Sequence, residues 1–494
     1  MRKVLGPLAL SAALLGGCAT VINPVTGEAE RTVMDERQEL AEGQKGHQQV
    51  LNDYGVYDNA KVQAYVNTLG QGLAQHSHRN TLAWHFTVLD SPEINAFALP
   101  GGYVYVTRGI MAYMESEADL AGVIGHEIGH VTARHGAQRA TRQQAAGLGV
   151  LAASVLGAVL ESQGVGGAAR MASEVSQTAA AGYIASYGRD QESQADQLGA
   201  EYLARSHLDP HNMVDVITVL KNQERFADDT ARAQGRTPGE HSNWLSSHPS
   251  NDQRLQDIER IASTYAGQYG DDGRARYLDA IQGMTFGDSR AQGLVRGRQF
   301  FHEPLGIALT APEGWTIKNT AEAITLVNAS SDAGLMVRLV PASAGSSHDE
   351  IIRTLIQPEQ GRVERVSING LSASHFVGTR RDAQGQAQKV DLTVVSGPAN
   401  HTYLLIPAAK EAAALQRASA AMREAESSFR AMTAADHSAA RPWFIKTVPY
   451  PKGGFAELAK RSPLSTRAEQ QLRLINGVYA GGEPKQGQLV KVIE

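Results

Sequence analysis

Residues 122–136 read GVIGHEIGHVTARHG, with His126 and His130 four apart and Glu127 directly after the first histidine. Residues four apart share one helix face, so both imidazoles can aim a ring nitrogen at a single metal ion. Glu127 falls about 100° further round the helix, beside such an ion and not on it, where a general base for water belongs. Zinc held by three protein ligands keeps a place open for water and brings that water's pKa to about 7. The chemistry this pattern suits is attack of water on a carbonyl carbon.

H-E-x-x-H arises by accident in about 3% of chains of this length and histidine content, so a working site has to supply a third ligand. The metzincin continuation needs glycine at 133 and histidine at 136, whereas the chain has Ala133 and Gly136. The gluzincin design takes a glutamate from a later helix, with an acidic residue one turn on to orient a ligand histidine. Residues 192–196 read Glu-Ser-Gln-Ala-Asp. Glu192 is therefore the expected third ligand of one zinc ion per chain, and Asp196 the carboxylate that steadies a histidine.

The 494 residues suggest about three domains. Apolar content of 42%, charged content of 20% and a net charge of −5 describe ordinary globular protein, with nothing to attract a nucleic acid. The one cysteine, Cys18, follows Arg2-Lys3, a short apolar run and Leu15-Gly16-Gly17. That is a secretory signal over 1–17, too short to span a membrane comfortably. The small residues before Cys18 resemble a bacterial lipobox, which implies a lipidated Cys18. Ala19 in the next position implies an anchor in the outer membrane, with the body in the periplasm.

The expected organisation is α+β multidomain. A polar tether over 18–50 leads into a mainly helical protease domain with a small sheet over 51–265. Within it, Val62, Tyr65, Val66, Leu69 and Leu73 have helical spacing. WHFTVLD (84–90) and GYVYVTRG (102–109) alternate like paired strands. A helix runs from Glu117 to about Arg142, and another covers 191–206. The uncharged stretch 145–160 reads as a packed or membrane-dipping helix. Gly, Asp and Arg thicken over 266–299, expected as a linker. Alternating runs over 300–432, with helices near 347–358 and 409–432, read as an α/β sandwich whose opening GIALTAPEGW resembles Mog-type and PsbP-type domains. The end, 440–494, resembles a small, divergent LysM module, and its residues 443–494 are a candidate peptidoglycan contact.

GHEIGHVTARH, RDQESQAD and SHPSNDQR in this order resemble metallopeptidase family 48, the HtpX and CAAX-prenyl-protease class, over roughly residues 50–262. The lipobox points to its soluble periplasmic branch. The resemblance implies a zinc endopeptidase for misfolded or stalled envelope proteins, with INAFALPGG supplying a cleft-lining strand. Asn95, Ala96 and Phe97 are then the residues that meet an extended substrate. His248, before Pro249, is expected either to steady the oxyanion or to fill the fourth zinc position. Arg254 reads as an ion-pair partner and His135 as a plain helix-face residue. A scaffold with little protease activity is the competing reading, and the presence of Glu127 with all three ligands weighs against it.

Overall fold

The computed structural model describes residues 19–32, 34–139, 141, 187–233, 244, 248, 252–265, 267–320, 323–381, 387–464 and 467–494. Cys18, the 1–17 segment and the 145–160 stretch lie outside the described residues. The chain divides into two compact units, one reaching Met284 and resuming at Phe444–Glu494, the other Thr285–Trp443. Among the described residues no helix is long and apolar enough to cross a membrane.

The first unit begins with an antiparallel hairpin, β1 (Ala19–Ile22) and β2 (Ala29–Thr32). Helix α1 (Glu36–Tyr54) follows, started by a capping box in which Asp35 accepts from the Gln38 N–H and Gln38 accepts from the Asp35 N–H. The tether expected over 18–50 is thus folded chain. It reads as polar because α1 buries only Glu39 and Gly43. Gly43 is needed there, since a Cβ would come within 1.9 Å of the Pro100 carbonyl oxygen.

Helix α2 (Ala60–Gln75) is capped by Asn59 and buries Val62, Val66 and Leu73, as the spacing predicts. Strands β3 (His85–Leu89), β4 (Ala96–Leu99) and β5 (Tyr103–Thr107) form a sheet of order β3-β5-β4. The two expected strands do pair, in parallel, and the segment between them contributes a third strand that is antiparallel to β5. That third strand, β4, is an edge, and it packs against the helix carrying HEIGH.

Helix α3 (Arg108–Tyr113) leads to α4 (Glu117–Thr132), where Ser116 caps the Asp119 N–H and Glu117 and Asp119 complement the helix dipole. The helix expected to reach Arg142 stops at Thr132. Arg134 takes a left-handed φ of +56°, and residues 135–139 are helical again in a new direction. Helices α5 (Arg189–Arg205), α6 (Asn212–Ala233), α7 (Asp252–Ser263) and α8 (Arg274–Ile281) complete the run. The segment read as a linker over 266–299 therefore carries a helix whose Tyr277, Leu278 and Ile281 are buried.

Helices α4 and α5 touch backbone to backbone. A Cβ on Gly129, inside HEIGH, would sit 2.8 Å from the Ala195 carbonyl oxygen, and one on Gly199 would sit 3.1 Å from the His126 nitrogen. This close approach is what brings Glu192 to the two histidines.

The second unit pairs β6 (Leu294–Arg296), β7 (Gln299–His302) and β8 (Ile307–Thr310) in one small antiparallel sheet. A seven-stranded antiparallel sheet is built from β9 (Thr316–Asn319), β10 (Ile324–Val327), β11 (Ala333–Leu339), β12 (Gln360–Ile368), β13 (Leu371–Arg381), β14 (Ala387–Ser396) and β15 (Thr402–Ala409). Its order is β9-β10-β11-β15-β14-β13-β12. Phe300, Ile307 and Leu309 from the small sheet meet Leu335, Val395 and Leu405 from the large one in a shared core. Helices α9 (His348–Ile356) and α10 (Ala412–Ser427) occupy the expected places.

Phe444–Glu494 returns to the first unit. Its β16 (Trp443–Pro449) pairs antiparallel with β17 (Leu489–Ile493), and α11 (Gly454–Ala459) and α12 (Ala468–Ile475) lie between them in sequence. The small separate domain expected over 440–494 is instead joined to the core of the first unit through Lys491. That side chain is fully buried, donates to the Ala112 and Met114 carbonyls at 3.1 and 2.6 Å, and pairs with Glu115 at 2.7 Å.

Candidate metal centre

Helix α4 presents His126 and His130 on one face, and the first turn of α5 presents Glu192 opposite them. Donor atoms of His126, His130, Glu192 and His248 all lie within 4.8 Å of one another, and all four residues are buried. The two Nε2 atoms of the α4 histidines face each other at 2.9 Å. Glu192 reaches them at 3.6 and 3.5 Å, and His248 Nδ1 lies 3.2 Å from His126 Nε2 and 3.1 Å from Glu192 Oε1.

The outward nitrogens are engaged elsewhere. His126 Nδ1 donates to Asp196 Oδ1 at 2.8 Å, the role expected of Asp196. Arg254 donates to both Asp196 oxygens at 2.8 Å, and its Nη1 stands 2.8 Å from Glu192 Oε2 and the His248 carbonyl. Lone pairs therefore converge on one buried point with too few hydrogens to satisfy one another. A divalent cation suits that donor set.

Burial sets the charges. It pushes His130 well below the usual histidine range, with neighbouring imidazoles adding to the effect, and it takes His248 down to about 3 against the pull of Glu127. Neutral imidazoles are the form that ligates. Burial raises Glu192 to about 7, opposed by His126 and Arg254. At Asp196 burial acts upward, but the Arg254 guanidinium outweighs it and holds the carboxyl well below its ordinary value.

Glu127 is buried beside the cluster and accepts from Trp244 Nε1 at 2.9 Å. Burial raises its proton affinity, which His248 and Trp244 partly offset. Ala96 and Phe97, expected to meet an extended substrate, lie in β4. Asn95, just before it, is tied to Thr107, whose N–H reaches the Asn95 carbonyl at 3.0 Å.

Three residues of the centre escape a reading by motif. His135 is fully buried with Nδ1 2.8 Å from His130 Nδ1, so it is no helix-face residue. Trp244 fixes Glu127. Tyr187 stacks on His130 with ring centroids 4.0 Å apart. His135 had a residue-type signal; the two aromatics had none.

Residues 60–262 match the model of Peptidase family M48. The beta-barrel assembly-enhancing protease of Yersinia pestis is 32% identical over 212 residues, 42% of this chain and 40% of that protein. The beta-barrel assembly-enhancing protease of Escherichia coli (strain K12) is 28% identical over 240 residues, 49% of this chain and 47% of that protein. The chain thus spans less than half the length of either relative. A solution structure of cyanobacterial PsbP from Synechocystis is matched at 13% identity over 28% of this chain and 98% of that one, with a TM-score of 0.21 that supports no assignment. Family match, relatives and donor set agree in making residues 60–262 similar to peptidase family M48.

Proposed function

We propose that this domain is a zinc-dependent endopeptidase that hydrolyses peptide bonds in misfolded or stalled cell-envelope proteins. We also propose that lipid on Cys18 anchors it to the outer membrane, facing the periplasm. The observation that carries the hydrolytic reading is the convergence of His126, His130 and Glu192 donors beside a buried Glu127.

Zinc bound by His126, His130 and Glu192 would supply a Lewis acid that acidifies water and polarises the scissile carbonyl. Glu127, steadied by Trp244, takes the proton of the attacking water and passes it to the departing amine. Asp196 and Arg254 orient His126, and His135 orients His130. The edge strand β4 holds an extended peptide by strand addition, which favours unfolded over folded clients. That the relatives are named for β-barrel assembly agrees with envelope clients of this kind. His248, placed among the ligand atoms, reads as a latch in the place that substrate needs.

Purified protein lacking residues 1–18 should bind one zinc ion and cleave casein, lose cleavage to a chelator and regain it with zinc. A zinc-loaded protein that leaves casein intact would overturn the reading. Cys18→Ser should abolish incorporation of labelled palmitate; label retained in that variant would refute the lipid anchor.

A further inference from the structure

Beside the metal ligands, toward the edge strand, lies a small pocket lined by Ala98, Leu99, Pro100, His130, Val131 and Tyr187. Its free volume is about 10 Å³, room for about one water molecule. Tyr187 makes it that small. Its ring lies nearly parallel to His130, with planes 24° apart, and the Arg139 guanidinium sits 5.9 Å from the ring centre. The next residue, Gly188, caps the helix that carries Glu192, so the ring is tied to the third ligand's own support. Across the pocket the wall is also tight, since a Cβ on Gly136 would sit 3.0 Å from Pro100 Cγ.

The charges at the pocket cancel. Of the charged side chains lining it, Glu39 and Arg134 pair at 3.2 Å, and Arg79, which also meets Glu39 at 3.1 Å, is balanced by Glu36 at 3.0 Å. Size is left to decide what enters.

We infer that Tyr187 sets the cleavage-site selectivity of this domain by closing the pocket to all but glycine, alanine and serine. The inference rests on the proposed endopeptidase. A peptide added to β4 runs past His130, and its side chains alternate between two directions. The residue flanking the scissile bond on the Leu99–Pro100 side turns its side chain into this pocket. A leucine, methionine or phenylalanine there meets the Tyr187 ring.

The test is a peptide library digested by the zinc-loaded protein, with cleaved bonds read by mass spectrometry. The wild type should show glycine, alanine and serine enriched at one flanking position by at least tenfold, since one methylene is worth ~10- to 200-fold in a tight pocket. Tyr187→Ala should shift that same position toward leucine, methionine and phenylalanine by at least tenfold, while Tyr187→Phe keeps the wild-type preference. Pro100→Ala widens the opposite wall and should shift it the same way, which decides the matter if Tyr187→Ala fails to hold zinc. A preference ratio is not moved by a general loss of activity. Wild-type cleavage with no small-residue preference, or a preference unchanged in the zinc-loaded variants, overturns this inference alone. A wild type that cleaves nothing overturns the endopeptidase reading and this one with it.

Discussion

His130 and His135 meet through their Nδ1 atoms, 2.8 Å apart and both buried. Their protons can be assigned by following the chain of bonds outward. Asn23 donates to Gln194 Oε1 at 2.8 Å, so that oxygen also accepts from His135 Nε2 at 3.1 Å. His135 then carries its proton on Nε2 and accepts on Nδ1. His130 must donate from Nδ1, which leaves its Nε2 lone pair pointing at the ligand cluster.

His135→Phe should therefore weaken zinc binding while leaving the ligands in place. Partners of this kind are worth ~10- to 100-fold in metal affinity. Competition against a calibrated chelator measures it. Wild-type affinity in His135→Phe would reduce the contact to packing.

His248→Ala discriminates two roles by sign. A latch predicts higher basal casein hydrolysis. An oxyanion donor predicts a loss of ~100-fold. Its ring nitrogen lies 3.2 Å from His126 Nε2, inside the ligand cluster, and that position favours the latch. Unchanged hydrolysis would reject both roles.

Lys491→Met should destabilise the first unit by about 3 kcal/mol, because it leaves Glu115 without one cation and two carbonyls without a donor. Calorimetry on the full chain reads this as a lower melting temperature for one transition, with zinc content unchanged. A melting profile like that of the wild type would show that the last strand is not fastened to the core of the first unit.

The candidate ligands are legible in sequence because helical periodicity pairs His126 with His130 and the gluzincin pattern singles out Glu192, but the backbone contact of α4 with α5 that brings Glu192 to them is not. His135 is hidden by backbone geometry. On an unbroken helix it would point about 140° away from His130, and only the left-handed Arg134 swings it back. Tyr187 and Trp244 are of types that usually fill cores, so spacing says nothing of their place beside a ligand and a base. Strand β12 shows no alternation to read because it is an edge exposed along nearly its whole length. Lys491 alternates with valines as an outward residue should, and its burial depends on partners at Ala112, Met114 and Glu115 that no local pattern reveals.

Glu127→Gln tests the central claim most directly. The amide keeps the shape of the side chain and can still meet Trp244, but it cannot take a proton from water. Zinc content measured by atomic absorption should equal that of the wild type, and casein hydrolysis should fall at least ~100-fold. Near-normal hydrolysis by the zinc-loaded Glu127→Gln protein would contradict the account.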